Sequence, residues 1–161
     1  RCCVTKGKSL VKMNKILNHI KINELISTSG QLKIEEFELI ANEGFEVVIN
    51  LAVPTTSNSL ENEDKIVSNL NMSYIHIPVS FENPKISDLK LFLNILQSLG
   101  ANKVWIHCAK NYRVSAFIYV YHKYILHTPF EEIDLSIFDI WKPSLIWQEL
   151  MKVSIEDLSK A

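Results

Sequence analysis

Residues 103–117 read Lys-Val-Trp-Ile-His-Cys-Ala-Lys-Asn-Tyr-Arg-Val-Ser-Ala-Phe and change character sharply in the middle. Val104, Trp105 and Ile106 are apolar and β-prone, whereas Tyr112 to Leu126 has the pattern of a helix without proline or glycine. A strand that turns through a short polar loop into a helix leaves unpaired N–H groups and the helix dipole pointing at one spot, which suits an anion. A cysteine on that loop is biased toward the thiolate, its reactive form. Arg113, five positions after Cys108, offers a planar fork for phosphate or sulfate. In open α/β sheets ligands sit beyond the strand C-termini, which is where Cys108 falls.

The rest of the chain alternates in the same way. Residues 13–22 read as an irregular or short helical lead-in, and Glu24 to Thr28 as a short edge strand before Ser29-Gly30. Ile34, Phe37, Ile40 and Ala41 recur at helical spacing, with Gly44 at the C-terminal cap position. Phe45 to Leu51 predicts a buried strand, and Asn58 with Glu61 has the spacing of a capping box for a helix ending near Asn69. Ser73 to Val79 is the next strand. Ile86, Leu89, Phe92, Leu93 and Leu96 mark an amphipathic helix closed by Gly100. Beyond the Cys108 loop and its helix, Thr128-Pro129 opens a further helix, and Pro143 precedes a last one through about Leu158. The expected fold is a single α/β domain, a central, mainly parallel sheet of four to five strands flanked by helices.

Composition narrows the function classes. The chain has 161 residues, 47% hydrophobic and 22% charged, enough for one domain with a core. No apolar run approaches the roughly 18 residues of a membrane helix, so no membrane partner is expected. The net charge of −1 gives no general basic field, so nucleic acid is not expected either. The exception is the N-terminus, where Arg1, Lys6, Lys8, Lys12 and Lys15 occur without an acidic residue. The three cysteines are Cys2, Cys3 and Cys108, an odd count with an adjacent pair that argues against a disulfide framework. A reducing, cytoplasmic compartment follows. His76, His122 and His127 lack metal-ligand spacing, and neither a metal nor another cofactor is expected. Residues 1–12 are read as a non-native or disordered extension ahead of Met13, and residues 13–161 as the domain.

His107-Cys108, a short loop, Arg113 and Ser115 together resemble the phosphate loop of the protein tyrosine and dual-specificity phosphatases. That family's pattern is His-Cys, five residues, Arg, then Ser or Thr. The Cys-x-x-Asn-Tyr-Arg-x-Ser arrangement most resembles a bacterial branch of dual-specificity-phosphatase-like proteins. Ser29-Gly30-Gln31, a helix, and then Val47 to Leu51 are similar to the family's opening, and the resemblance runs from about Leu25 to Leu158. It implies a cysteine-phosphatase fold and a hydrolase acting on a phosphorylated substrate through a phosphocysteine.

The resemblance assigns roles by position. Cys108 is the nucleophile, and Ala109, Lys110, Asn111, Tyr112 and Arg113 cradle the phosphate or sulfate. His107 supports the loop, and Ser115 stabilises the thiolate as it leaves. Here only four residues separate Cys108 from Arg113. Either the loop is one residue short and Arg113 is the clamp, or Asn111 replaces a loop glycine and Val114 stands at the clamp position. The first is preferred, because a valine cannot hold an oxyanion. The family's general acid, an aspartate just past an Ile-Pro strand end, is missing. Ser80 stands in its place, and Glu82 is the candidate substitute. Slow phosphatase turnover is the leading expectation. A non-catalytic phosphate-binding domain and a persulfide-carrying, sulfurtransferase-like domain are the alternatives. Nothing in the sequence sets the oligomeric state.

Overall fold

Strand β5 (Val104–His107) occupies the middle of the sheet because every one of its side chains is apolar or can be satisfied inside. It lies parallel between β2 (Ile26–Ser29) and β3 (Val47–Asn50), both of them buried along their whole length. β4 (Ser73–His76) adds in parallel to β3, and β1 (Ile20–Lys21) pairs antiparallel with β2. The order is β1-β2-β5-β3-β4. The computed structural model describes residues 12–161. The extension read over residues 1–12, with Cys2 and Cys3, lies outside the described residues apart from Lys12.

Side chains alternate across a strand, and the two faces of β5 meet different helices. Val104 and Ile106 join a core with Leu89, Phe92, Leu93 and Leu96 of α3 (Ile86–Ser98) and with Val114, Phe117 and Val120 of α4 (Tyr112–Tyr121). Trp105 points to the other face, where Phe37 and Ile40 of α1 (Ile34–Asn42) and Val67 of α2 (Glu63–Asn69) cover it. His107 lies on that same face, against Phe37. The chain is thus a single α/β domain with a mostly parallel five-stranded sheet. No helix among the described residues is long and apolar enough to cross a membrane.

Several boundaries differ from the expectation, each for a local reason. The segment expected at the edge, near Glu24–Thr28, is internal, because the lead-in itself supplies the edge strand β1. The helix expected from an Asn58–Glu61 capping box begins only at Glu63, after Asn62 in the left-handed region (φ 57°). The Asn58 side chain is engaged elsewhere, donating from Nδ2 to Ala109 O at 3.0 Å. Strand β4 stops at His76, short of Pro78. The long helix expected to Leu126 ends at Tyr121 and widens into a π-turn, His122–Leu126, closed by His127 at φ 50°. Thr128-Pro129 leads only into a 3₁₀ turn, Phe130–Glu132. The last helix divides into α5 (Leu145–Met151) and α6 (Ile155–Lys160), with Ser154 capping the second through Asp157 N. Gly44 adopts φ 91°, the conformation its expected cap position requires.

Candidate active site

Cys108 is the first residue past β5, and the chain must turn there to enter α4. The turn is made by Asn111 at φ 69°, ψ 12°, a left-handed conformation that asparagine tolerates better than most residues. Its Nδ2 donates to Asn18 O at 2.8 Å and to Thr28 Oγ1 at 3.0 Å, which ties the loop to the lead-in and to β2. Gly30 lies beneath the loop. A Cβ there would come within 2.8 Å of Ala109 O and of Leu17 Cδ2, so only glycine allows this approach.

The loop carbonyls all turn outward. Cys108 O lies 3.2 Å from His107 Nδ1. Ala109 O accepts from Gln31 N and from Asn58 Nδ2, each at 3.0 Å. Lys110 O accepts from Asn18 Nδ2 at 3.0 Å, and Asn111 O from Ser115 N at 3.1 Å. A peptide whose carbonyl is fixed on one side presents the next N–H on the other. Among the described residues, no protein acceptor takes the amides of Ala109, Lys110, Tyr112, Arg113 or Val114. The loop and the first turn of α4 therefore form a cup of donors of the kind that holds tetrahedral oxyanions.

Phe81, Cys108, Ala109, Lys110, Tyr112 and Arg113 line the cleft above this cup, about 200 Å³ in volume. Cys108 is at its floor, 1% exposed. Arg113 is 5% exposed, with its guanidinium carbon 5.8 Å from the centre of the Phe81 ring. Its Nη1 donates to Val79 O at 2.9 Å, so one arm holds the neighbouring loop while the rest of the fork stays with the cleft. Val114, by contrast, is 0% exposed and packs in the core.

Ser80 and Glu82 belong to the loop that Arg113 grips. Trp147 Nε1 donates to Phe81 O at 2.8 Å, and Ser80 Oγ accepts from Asn83 N at 3.0 Å. Phe81 is the residue of this loop that reaches the cleft; Glu82 is exposed and does not line it. Ser115 is not brought to the cleft either. It lies two residues past Arg113, about 200° around the helix at 100° per residue. It lines a separate small pocket with Thr28, Ile118, Tyr119 and His122, and its buried Oγ has no hydrogen-bond partner among the described residues. Tyr112 stacks on Trp141 with ring centroids 5.1 Å apart and forms the aromatic wall.

One participant carried no sequence signal. Glu63, at the start of α2, places Oε2 at 2.8 Å from His107 Nε2, and Asn50, Gln31 and Tyr74 surround it. The contact spans 44 residues and joins the start of α2 to the end of β5, so no local pattern in the sequence marked it. Among the described residues, no group of three or more His, Cys, Asp or Glu could hold a metal ion.

The fold has counterparts among solved structures. A protein of Shewanella putrefaciens CN-32, named as a candidate phosphatase (DUF442), superposes with a TM-score of 0.83 at 27% identity, covering 94% of this chain and 97% of its own. The core catalytic domain of a PP-IP phosphatase from S. cerevisiae, solved with citrate, gives 0.70 at 17% identity over 90% of both chains. TpbA of P. aeruginosa gives 0.69 at 13% over 88% of both. At those lower identities the likeness is one of fold. No curated protein matches the sequence. A family model described as "DSP-PTPase phosphatase fused to NAD+ Kinase" matches residues 11–137, most of the chain, and it is to this dual-specificity and tyrosine phosphatase family that the chain belongs.

Proposed function

We propose that the domain is a metal-independent, cysteine-dependent phosphoester hydrolase with slow turnover. The observation that carries this is the outward fixing of every loop carbonyl around Cys108, which leaves the amides and Arg113 for an oxyanion. In this mechanism the Cys108 thiolate attacks phosphorus, a P–S bond forms, and the P–O bond to the leaving group breaks. Ala109, Lys110, Tyr112 and Arg113 hold the equatorial oxygens through their amides and the guanidinium. Water then attacks the phosphocysteine, which releases inorganic phosphate and returns the thiolate. The Phe81 and Tyr112 walls suit an ester whose leaving group is flat and apolar. Such a leaving group also departs with little help from an acid, consistent with a cleft that, among the described residues, no carboxylate lines.

The test is hydrolysis of p-nitrophenyl phosphate by the wild type and by Cys108→Ser. Turnover is expected to be insensitive to EDTA and to fall to background in the variant. Vanadate bound at the cup without any turnover would leave a phosphate-binding domain, the reading that the absent cleft carboxylate favours. A gain of one sulfur atom on Cys108, read by mass spectrometry, would point instead to persulfide transfer.

Ser80→Asp is the complementary gain-of-function experiment. Ser80 already accepts from Asn83 N, a bond an aspartate can keep while placing a carboxyl in the same loop. General acid catalysis is typically worth about 10²- to 10⁴-fold, so even a partial effect is measurable. The rate on alkyl phosphates should rise about tenfold or more, with little change on aryl phosphates. An unchanged alkyl-phosphate rate would show that position 80 does not reach the leaving oxygen.

A further inference from the structure

One buried charged group has no part in that mechanism. The Glu63 side chain is 5% exposed and lies on the opposite face of β5 from the cleft. Its Oε2 is 2.8 Å from His107 Nε2 and accepts from Asn50 Nδ2 at 3.2 Å, while Oε1 accepts from Gln31 Nε2 at 2.6 Å. Burial alone pushes this carboxyl up, but the hydrogen bond and charge of His107, with the bonds from Gln31 and Tyr74, outweigh it and hold the group below the usual carboxylate range. Glu63 is therefore an ionised acceptor in a nearly closed site.

His107 is 0% exposed and its ring has an acceptor at each end. Nε2 faces the Glu63 carboxylate and Nδ1 faces the Cys108 carbonyl at 3.2 Å. Carboxylates and carbonyls only accept, and a neutral imidazole has one N–H to give. Both contacts become hydrogen bonds only when the ring carries two protons. Phe37, packed edge-on with its centroid 6.1 Å away, keeps the ring from turning to another partner.

We propose that Glu63 is a positioning residue for the cysteine loop. By holding His107 as a doubly protonated ring, it fixes the Cys108–Ala109 peptide with the carbonyl turned toward the histidine. The Ala109 N–H at the other end of that peptide is then aimed at the cleft and polarised by the chain of bonds behind it. Glu63 touches neither substrate nor Cys108; it acts through His107 alone. This role rests on the phosphoester reading of the loop, since it is an oxyanion that the Ala109 amide would serve.

Two measurements test it. In the folded wild type near neutral pH, nitrogen NMR of ¹⁵N-histidine-labelled protein is expected to show protons on both ring nitrogens of His107. A single protonated nitrogen there overturns the proposal, and no variant has to fold for that result. In Glu63→Gln, which preserves shape and removes charge, one ring proton is lost and vanadate affinity falls about tenfold, as for loss of a charge-assisted bond. In a His107→Asn background the same Glu63→Gln change should cost nothing further. Equal losses in both backgrounds would make Glu63 a general stabiliser and sink the positioning role. A wild type that binds no vanadate defeats the phosphoester reading itself, and the NMR signature then still decides whether Glu63 holds His107.

Discussion

Arg113→Lys should lower vanadate affinity about tenfold in a folded protein, and Val114→Arg should unfold the domain without adding a clamp. The two residues are neighbours in sequence but occupy opposite environments. Arg113 lines the cleft and Val114 lies in the core beside Phe117 and Ile106. Lysine keeps the charge, so the loss in Arg113→Lys is geometric: an ammonium cannot contact two oxyanion oxygens in one plane while also holding Val79 O. Placing a guanidinium at Val114 buries a charge with no partner, a change worth about 3 kcal/mol or more and comparable with much of a small domain's stability. Vanadate titration reads the first variant and urea denaturation the second. A silent Arg113→Lys, or a stable Val114→Arg that binds vanadate more tightly, would reverse the assignment of the clamp.

Asn111→Ala carries the second large effect. It should cost about 2–4 kcal/mol of stability and markedly weaken anion binding. Alanine would be forced to φ 69°, and the bonds to Asn18 O and Thr28 Oγ1 would be lost together. Asn111→Gly separates the two contributions, because glycine accepts the conformation and loses only the bonds. Its cost should be about half that of alanine, with the loop shape largely retained. Denaturation midpoints and vanadate affinities measured on both variants check this. Equal damage from alanine and glycine would mean that conformation contributes little and the side-chain bonds nearly everything.

These two residues also show how much was readable from sequence. A left-handed Asn111 was visible only within the alternative that put Val114 at the clamp position, whereas Arg113 was singled out because its spacing from Cys108 is local; the structure has Asn111 at φ 69° and Arg113 lining the cleft. The strand ending at His107 and the helix starting at Tyr112 were legible for the same reason, and so was Gly44. The supports of the loop were not. Asn58 looked like a cap for its own helix, yet its amide serves Ala109 O, 51 positions away. Glu63 drew no notice inside the helix expected to end near Asn69, and it is buried against His107. Ser115 follows Arg113 one position later than the family's hydroxyl, and it faces the pocket with Thr28 and His122, not the cleft. Local periodicity fixes which residues share an element, but the polar partners that pin a loop come from register between distant strands. The π-turn after Tyr121 likewise left no mark that a continuous helical pattern would lack.

The placement of β5 has a consequence for how the site comes into being. Val104 pairs on one side with Ile26 and on the other with Val47, so the central strand joins segments separated by most of the first two-thirds of the chain. Such pairings bring their reward only after long loops have closed, which makes them slow and late compared with helix formation. The donors to Ala109 O and Lys110 O come from the lead-in, from the segment after β2 and from the segment before α2, while Cys108 O and Asn111 O have local partners. The anion cup is therefore only partly prepared by local contacts. It is complete only when the whole sheet is, and Cys108 takes its place in the same cooperative step that completes the fold.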